Sequence, residues 1–223
     1  MDRVIVVAPH PDDETLGCGG TLLKHRNRGD EINWVIVTNI DSKNGWSETE
    51  VKKRQNEIQE VSEMYGFKRS FKLGFPAALL DTIPYNDLIS KMSSVIQEVK
   101  PSVVYLPNRS DIHTDHQMTF QAAMSCCKDF RSPFIKRILM YEVLSESEFS
   151  ATIREDFFVP NSFVDISGYV EDKIKIMKVY ASEIMEPPYP RCLDLIKCLA
   201  QYRGSRIGKQ YAEAFNLLED KWI

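Results

Sequence analysis

The segment "APHPDDE" (8–14) puts one imidazole and three carboxylates, His10, Asp12, Asp13 and Glu14, into a single short turn. The apolar run "RVIVV" precedes it and "TLGCGG" follows. A strand, a turn and a glycine-rich helix start is also the layout of a dinucleotide cradle. That fingerprint, G-x-G-x-x-G, would need glycine at position 22, where Leu22 stands. The acids also occupy the helix N-terminus that a pyrophosphate would use, and like charge repels it. The glycines instead fit close packing of helix on sheet. His10 and Asp13, three apart around a tight turn, can converge on one cation such as zinc or iron(II). Asp12 then remains free to act as a base. A competing explanation is that the acids only cap the next helix.

A second polar cluster, "RSDIHTDH" (109–116), follows the apolar run "SVVYLP". It holds two of the four histidines, His113 and His116, with Asp111 and Asp115 placed to brace imidazoles through their second nitrogen. The fourth, His25, lies among Lys24, Arg26 and Arg28 and is expected to face solvent without a role. A His–Asp–His set leaves metal positions open, as in catalytic zinc sites with three protein ligands and a water. Zinc lowers the pKa of that water toward ~7, and a nearby carboxylate can take its proton. The leftover Asp12 would be that base, and the leftover His113 would stabilise an oxyanion or protonate a leaving amine. These are the parts of metal-assisted amide hydrolysis.

The elements that must position these residues alternate. Strands are expected at 3–9, 32–39, 70–75, 102–107, 137–144 and 158–167. Helices are expected at Thr15–Arg28, Ser47–Tyr65, Tyr85–Val99 and Asp115–Lys128, with Ser47 and Glu50 forming a capping box. The fold class is therefore α/β: a Rossmann-like, mostly parallel sheet with helices on both faces. A less regular C-terminal third follows, with a helix near 168–182, an irregular "EPPYPR" (186–191) and another helical stretch. Ligands of such sheets sit outside the carboxyl ends of the strands, where both polar clusters fall.

At 223 residues, 43% of them apolar, the chain is expected to form one domain, 1–223. A net charge of -4 argues against a general nucleic-acid binder. No apolar run reaches the ~18 residues of a membrane span, and the N-terminus has no leader pattern, so a cytoplasmic location is expected. The five cysteines are odd in number and lack a C-x-x-C pair, so they read as reduced and mostly buried. The apolar "FPAALL" (75–80) is a candidate subunit contact, which would make the protein a homo-oligomer.

"APHPDDE" together with "HTDH" resembles the PIG-L / LmbE-like family of zinc-dependent N-acetylglucosaminyl deacetylases. "GCGGTLLKHRNRGDEI", "VTN", "KRQNE", "LGFP" and "YAEAF" extend the likeness along most of the chain. The resemblance implies that His10, Asp13 and His116 hold Zn2+, with Fe2+ the other candidate. It implies Asp12 as general base, with metal-bound water attacking the amide. His113 would be the acid or oxyanion partner, and Asp115 would orient one of the two imidazoles beside it. The Arg of the R-x-x-E helix, Arg54, would grip a substrate hydroxyl or phosphate, unless it pairs with Glu57 or Glu50 on its own helix. Several family members carry Asp-Gly after the "LGFP" strand, whereas Ala77 and Ala78 stand here, leaving Asp81 as the nearest acid.

The implied partner is a small-molecule amino-sugar conjugate, with no nucleic acid and no membrane span. Trp46, in the polar loop after the second strand, would stack on the sugar ring or else anchor the loop. "MEPPYPRC" (185–192) would supply another wall or a mere connector. Alternatives in the same chemistry are a deacylase or amidase acting on a different acyl-amino sugar or related amide. A non-haem iron oxygenase uses the same donors but spaces its first His and acid differently. A sugar-binding module without catalysis would lack a base or a ligand, and all five positions here are filled.

Overall fold

The structure is a computed structural model that describes residues 1–151, 153 and 155–222. Its strands are β1 (Arg3–Ala8), β2 (Glu31–Asn39), β3 (Arg69–Pro76), β4 (Val103–Pro107), β5 (Arg137–Tyr141), β6 (Ser162–Asp165) and β7 (Ala212–Asp220). Its helices are α1 (Asp13–Asn27), α2 (Glu48–Tyr65), α3 (Tyr85–Val99), α4 (Thr114–Cys126), α5 (Val170–Met177) and α6 (Leu193–Ser205). One sheet runs in the order β3-β2-β1-β4-β5-β7-β6. The pairs among β1 to β5 are all parallel, while β7 runs antiparallel to both of its neighbours.

Strand periodicity explains the two cores. Along β1, Val4, Val6 and Ala8 enter a cluster with α1, α2, α5 and α6. Ile5 and Val7 enter the other cluster, with α3 and α4. All five are fully buried, which is why the strand reads as an unbroken apolar run. Each of the four Val and Ile side chains contributes about 1.5–3 kcal/mol of burial.

The glycines of α1 do serve close packing. A Cβ on Gly17 would lie 2.2 Å from the Tyr141 ring, and one on Gly20 would lie 2.7 Å from Ile166. The capping box of α2 forms from both sides, Ser47 to Glu50 and back. Cys18, Cys126, Cys127 and Cys192 are buried, Cys198 is exposed, and all are free thiols.

The chain steps outward from β1 to β2 and β3, and then α3 carries it back to β4 on the other side of β1. The switch point therefore lies between β1 and β4, and the two polar clusters leave the sheet there.

The C-terminal third departs from expectation. The strand expected over 137–144 ends at Tyr141, the one expected over 158–167 shrinks to Ser162–Asp165, and the helix near 168–182 covers Val170–Met177. The last strand, β7, is masked in the sequence because Glu213 faces inward. Its carboxylate accepts from the backbone N–H of Gly20 and Thr21, at 2.9 and 2.7 Å, and from Lys173 Nζ at 2.7 Å.

His25 also departs from expectation. It is buried, with Nδ1 2.8 Å from Asp30 Oδ2 and Nε2 2.9 Å from the Tyr105 hydroxyl. Helix α1 is covered on nearly every side, so charged sequence neighbours did not report exposure. Of "FPAALL", Phe75 and Leu80 belong to the core and Leu79 alone is an exposed large apolar side chain. Among the described residues no helix is long and apolar enough to cross a membrane.

Candidate active site

The turn after β1 is held in an uncommon conformation. Asp12 has φ 135, a value that L residues rarely adopt, and its carbonyl starts α1 by accepting from Thr15 and Leu16. Glu14 supports the turn from within. It is fully buried, accepts from the Asp12 N–H at 3.1 Å, and receives the hydroxyls of Thr15 and Tyr180 at 2.6 and 2.9 Å. Burial pushes the Glu14 carboxyl up to about 7.

The two clusters meet over the switch point. The ring of His10 lies 4.6 Å from that of His113 and 5.3 Å from that of His116. Donor atoms of His10, Asp13 and His116 all fall within 4.8 Å of one another. Asp13 Oδ2 accepts from the His10 backbone N–H at 2.8 Å and lies 3.4 Å from His10 Nδ1 and 3.3 Å from His116 Nε2.

Each of these imidazoles is braced from its far side. Asp115 Oδ2 lies 3.0 Å from His10 Nε2, and Asp111 Oδ2 lies 2.8 Å from His116 Nδ1. Asp115 thus braces His10 through its carboxylate, not the imidazoles of its own loop, and its oxygens also take the N–H groups of Ala78 and Leu80. A second trio, His10, His113 and Asp115, is as compact, but those contacts already occupy Asp115.

Two features fit a cation in the first trio. His116 Nε2 is buried and has no hydrogen-bond partner, its approach to Asp13 having the distance but not the direction of one. The donor set of two imidazoles and one carboxylate also suits zinc or iron(II).

Charge follows the same grouping. Burial pulls His10 down, but Asp115 and Asp13 outweigh it, and its pKa is pushed up to about 9. His116 is likewise raised, against burial, by Asp13 and Asp111. Asp13 is held far below the usual carboxylate range by the two imidazoles, despite its burial. Burial, with Asp13 and Glu183 beside it, holds Asp12 well above that range, while Arg191 and His10 pull it back. His113 is lowered by burial and by the other two imidazoles. Its Nδ1 accepts the Asp115 N–H at 3.1 Å, so the neutral ring carries its proton on Nε2.

A cavity of about 260 Å³ opens above this cluster. Asp12 and His113 line it, as do Trp46 and Arg54. Trp46 is 44% exposed. Arg54 reaches the wall with its donors occupied by Pro11 O at 3.0 Å, by Glu57 at 3.2 Å and by Glu183. Asp81 is exposed on the short turn Leu80–Thr82 and is not part of the lining.

Three charged lining residues were not singled out by sequence reasoning: Glu146, Glu183 and Arg191. They lie in the irregular segments after β5 and α5, where no periodicity fixes a direction. The one available signal was Arg191, a charged residue in the Pro-rich stretch already considered as a wall.

Residues 5–127 match a protein family described as PIG-L: GlcNAc-PI de-N-acetylase. The diacetylchitobiose deacetylase of Thermococcus kodakarensis is 26% identical over 98% of this chain and 84% of its own length. A probable N-acetyl-alpha-D-glucosaminyl L-malate deacetylase 2 of Bacillus cereus is 28% identical over 82% of this chain and 84% of its own. Among solved structures, the conserved protein TT1542 from Thermus thermophilus superposes with a TM-score of 0.79 at 26% identity, covering 100% of this chain and 97% of that one.

Proposed function

The chain belongs to the PIG-L family, and on that premise we propose that it is a metal-dependent N-deacetylase acting on an N-acetylglucosamine-type conjugate. The observation that carries this is the convergence of His10, Asp13 and His116 at the switch point, with Asp12 and His113 on the same cavity. The names of the relatives from Thermococcus kodakarensis and Bacillus cereus, both deacetylases of amino-sugar compounds, support the same substrate class.

His116 through its orphaned Nε2, His10 through Nδ1 and Asp13 through Oδ2 would hold the ion, zinc by preference, with iron(II) suited to the same donors. Such an ion supplies Lewis acidity, polarising a carbonyl and making water a stronger acid.

The chain's own groups account for the proton movements. Asp12 takes a proton from water as the water oxygen bonds to the amide carbonyl carbon. A carboxylate that burial holds above its usual range accepts that proton more readily than a solvated one. His113 stays neutral and donates a hydrogen bond from its Nε2–H to the carbonyl oxygen as negative charge develops there. The C–N bond then breaks, and the amine leaves with the proton that Asp12 returns. Arg191, with its guanidinium 3.5 Å from Asp12 Oδ2, keeps that carboxylate turned toward the cavity.

The test is amine release from N-acetylglucosaminides by metal-loaded wild type and Asp12→Asn. The variant should keep its metal and lose at least about 100-fold in turnover, the range of a lost general base. Loss of metal would make Asp12 a ligand, and unchanged turnover would remove it from the chemistry.

A further inference from the structure

Asp12 sits at φ 135, and an L residue stays in such a conformation only where its surroundings hold it. Glu14 takes its N–H from below. Two guanidinium groups hold it from the cavity side. Arg54 Nη1 donates to the carbonyl of Pro11, the residue before it, at 3.0 Å. Arg191 Nη1 lies 3.5 Å from the Asp12 carboxylate.

Both guanidiniums end on one carboxylate. Glu183, in the turn after α5, accepts from Arg54 Nη2 at Oε1 and from Arg191 Nη1 at Oε2, the latter at 3.1 Å. Arg54 comes from α2 and Arg191 from the segment just before α6, so Glu183 ties two separate segments to the turn after β1. Arg54 has further anchors, Glu57 Oε2 and Ser182 Oγ, each at 3.2 Å. Every nitrogen of its guanidinium thus already meets an oxygen of the protein. Arg191 is held less firmly. Its Nε is buried without a hydrogen-bond partner, and the one nitrogen Nη1 meets both acids. Among the described residues its guanidinium donates only to Glu183.

Resting on the deacetylase reading above, in which Asp12 is the base, we propose that Glu183 is a positioning residue for that base. It acts through Arg191 on the Asp12 carboxylate and through Arg54 on the backbone at Pro11. Arg54 therefore serves this clamp and does not grip the substrate. Misplacing a catalytic group by about 1 Å can cost about 100-fold in rate, so the clamp registers in kcat.

Glu183→Gln releases the Arg191 arm. Arg54 Nη2 and, at 3.4 Å, Ser182 Oγ both donate to Oε1, so the amide oxygen stays there and the NH2 turns toward Arg191. With metal-loaded enzyme on an N-acetylglucosaminide, kcat should fall about tenfold or more, while KM and zinc affinity stay within about twofold of wild type. In an Asp12→Asn background the same substitution should change the residual rate by less than about twofold, because the base it positions is gone. Arg54→Lys keeps the charge beside Glu57 and Glu183 but cannot span all its partners, and it should lower kcat and spare KM. An unchanged kcat in Glu183→Gln overturns the inference, as does a loss that multiplies with that of Asp12→Asn. A rise in KM at constant kcat in either variant makes that residue a substrate contact and overturns it too. Crystal structures of wild type and Glu183→Gln give a readout without turnover. The Asp12 carboxylate should be displaced or split between orientations, with His10, Asp13 and His116 in place; an unmoved Asp12 overturns the inference. Absence of amine release by wild type from every N-acetylglucosaminide overturns the deacetylase assignment instead, and the two crystal structures then decide the positioning role by themselves.

Discussion

Asp111→Asn isolates one atom of the proposed metal site. Asp111 is fully buried, and its two oxygens divide the work. Oδ1 accepts from Asn108 Nδ2 at 2.9 Å and from Ser147 Oγ at 2.5 Å, while Oδ2 faces His116 Nδ1 at 2.8 Å. An asparagine keeps the shape but exchanges one oxygen for an NH2 group. Two donors hold the Oδ1 side, so the amide oxygen stays there and the NH2 turns toward His116. His116 must then accept at Nδ1, which moves its proton to Nε2, the atom that has to give a lone pair to the ion. Loss of such a brace typically weakens metal affinity by about 10–100-fold, or roughly 1.4–2.7 kcal/mol.

The assay is competition for zinc against a chromophoric chelator, at a temperature where melting curves show the variant folded, since an unmatched buried donor costs about 1–3 kcal/mol of stability. Ser147→Ala is the control: it removes a donor to Oδ1, leaves the His116 contact intact, and should change affinity little. Zinc affinity of Asp111→Asn within about twofold of wild type would refute the assignment of His116 Nε2 as a ligand atom.

Three further outcomes follow from the same geometry. His10, pushed up to about 9, and the raised His116 both carry protons at neutral pH before an ion binds. Metal binding near pH 7 should therefore release about two protons, and apparent affinity should rise with pH up to about 9; calorimetry in buffers of different ionisation enthalpy counts them, and zero release contradicts the ligand set. Asp12 is protonated in the native cluster well above the pH, about 4, at which an unfolded chain gives up that proton. Native stability conferred by this residue is thus lost as pH rises above about 4, and Asp12→Asn should remove the loss, raising the melting temperature of metal-stripped protein at neutral pH; a lower one counts against the buried charge. Gly17→Ala should cost about 1–3 kcal/mol, because its new methyl meets the Tyr141 ring. In a chain this size that is a fall in Tm of roughly 2–12 °C, and an unchanged melt contradicts the close approach.

The parallel half of the fold was legible because strands buried on both faces cannot alternate, and β1 and β4 announce themselves as unbroken apolar runs. The loops and helix starts that follow those two strands carry His10, Asp12, Asp13, His113 and His116, so the positions of the strands in the sheet were enough to bring the residues together. The antiparallel end was harder to read. Glu213 spoils the pattern of β7 by facing inward to cap backbone N–H groups of α1, a use visible only in three dimensions. His25 failed for a related reason: sequence neighbours report one helix face, while α1 is packed on several. The wall formed by Glu146, Glu183 and Arg191 comes from irregular segments, where turn geometry decides direction.

Metal dependence itself is tested by following bound metal and amine release in one sample. Protein purified without chelator is assayed on an N-acetylglucosaminide, stripped, assayed again, and reloaded with zinc in steps. The proposed site requires about one ion per chain at full loading, no release when stripped, and recovery in proportion to bound ion. Amine release that persists in metal-free protein would contradict it.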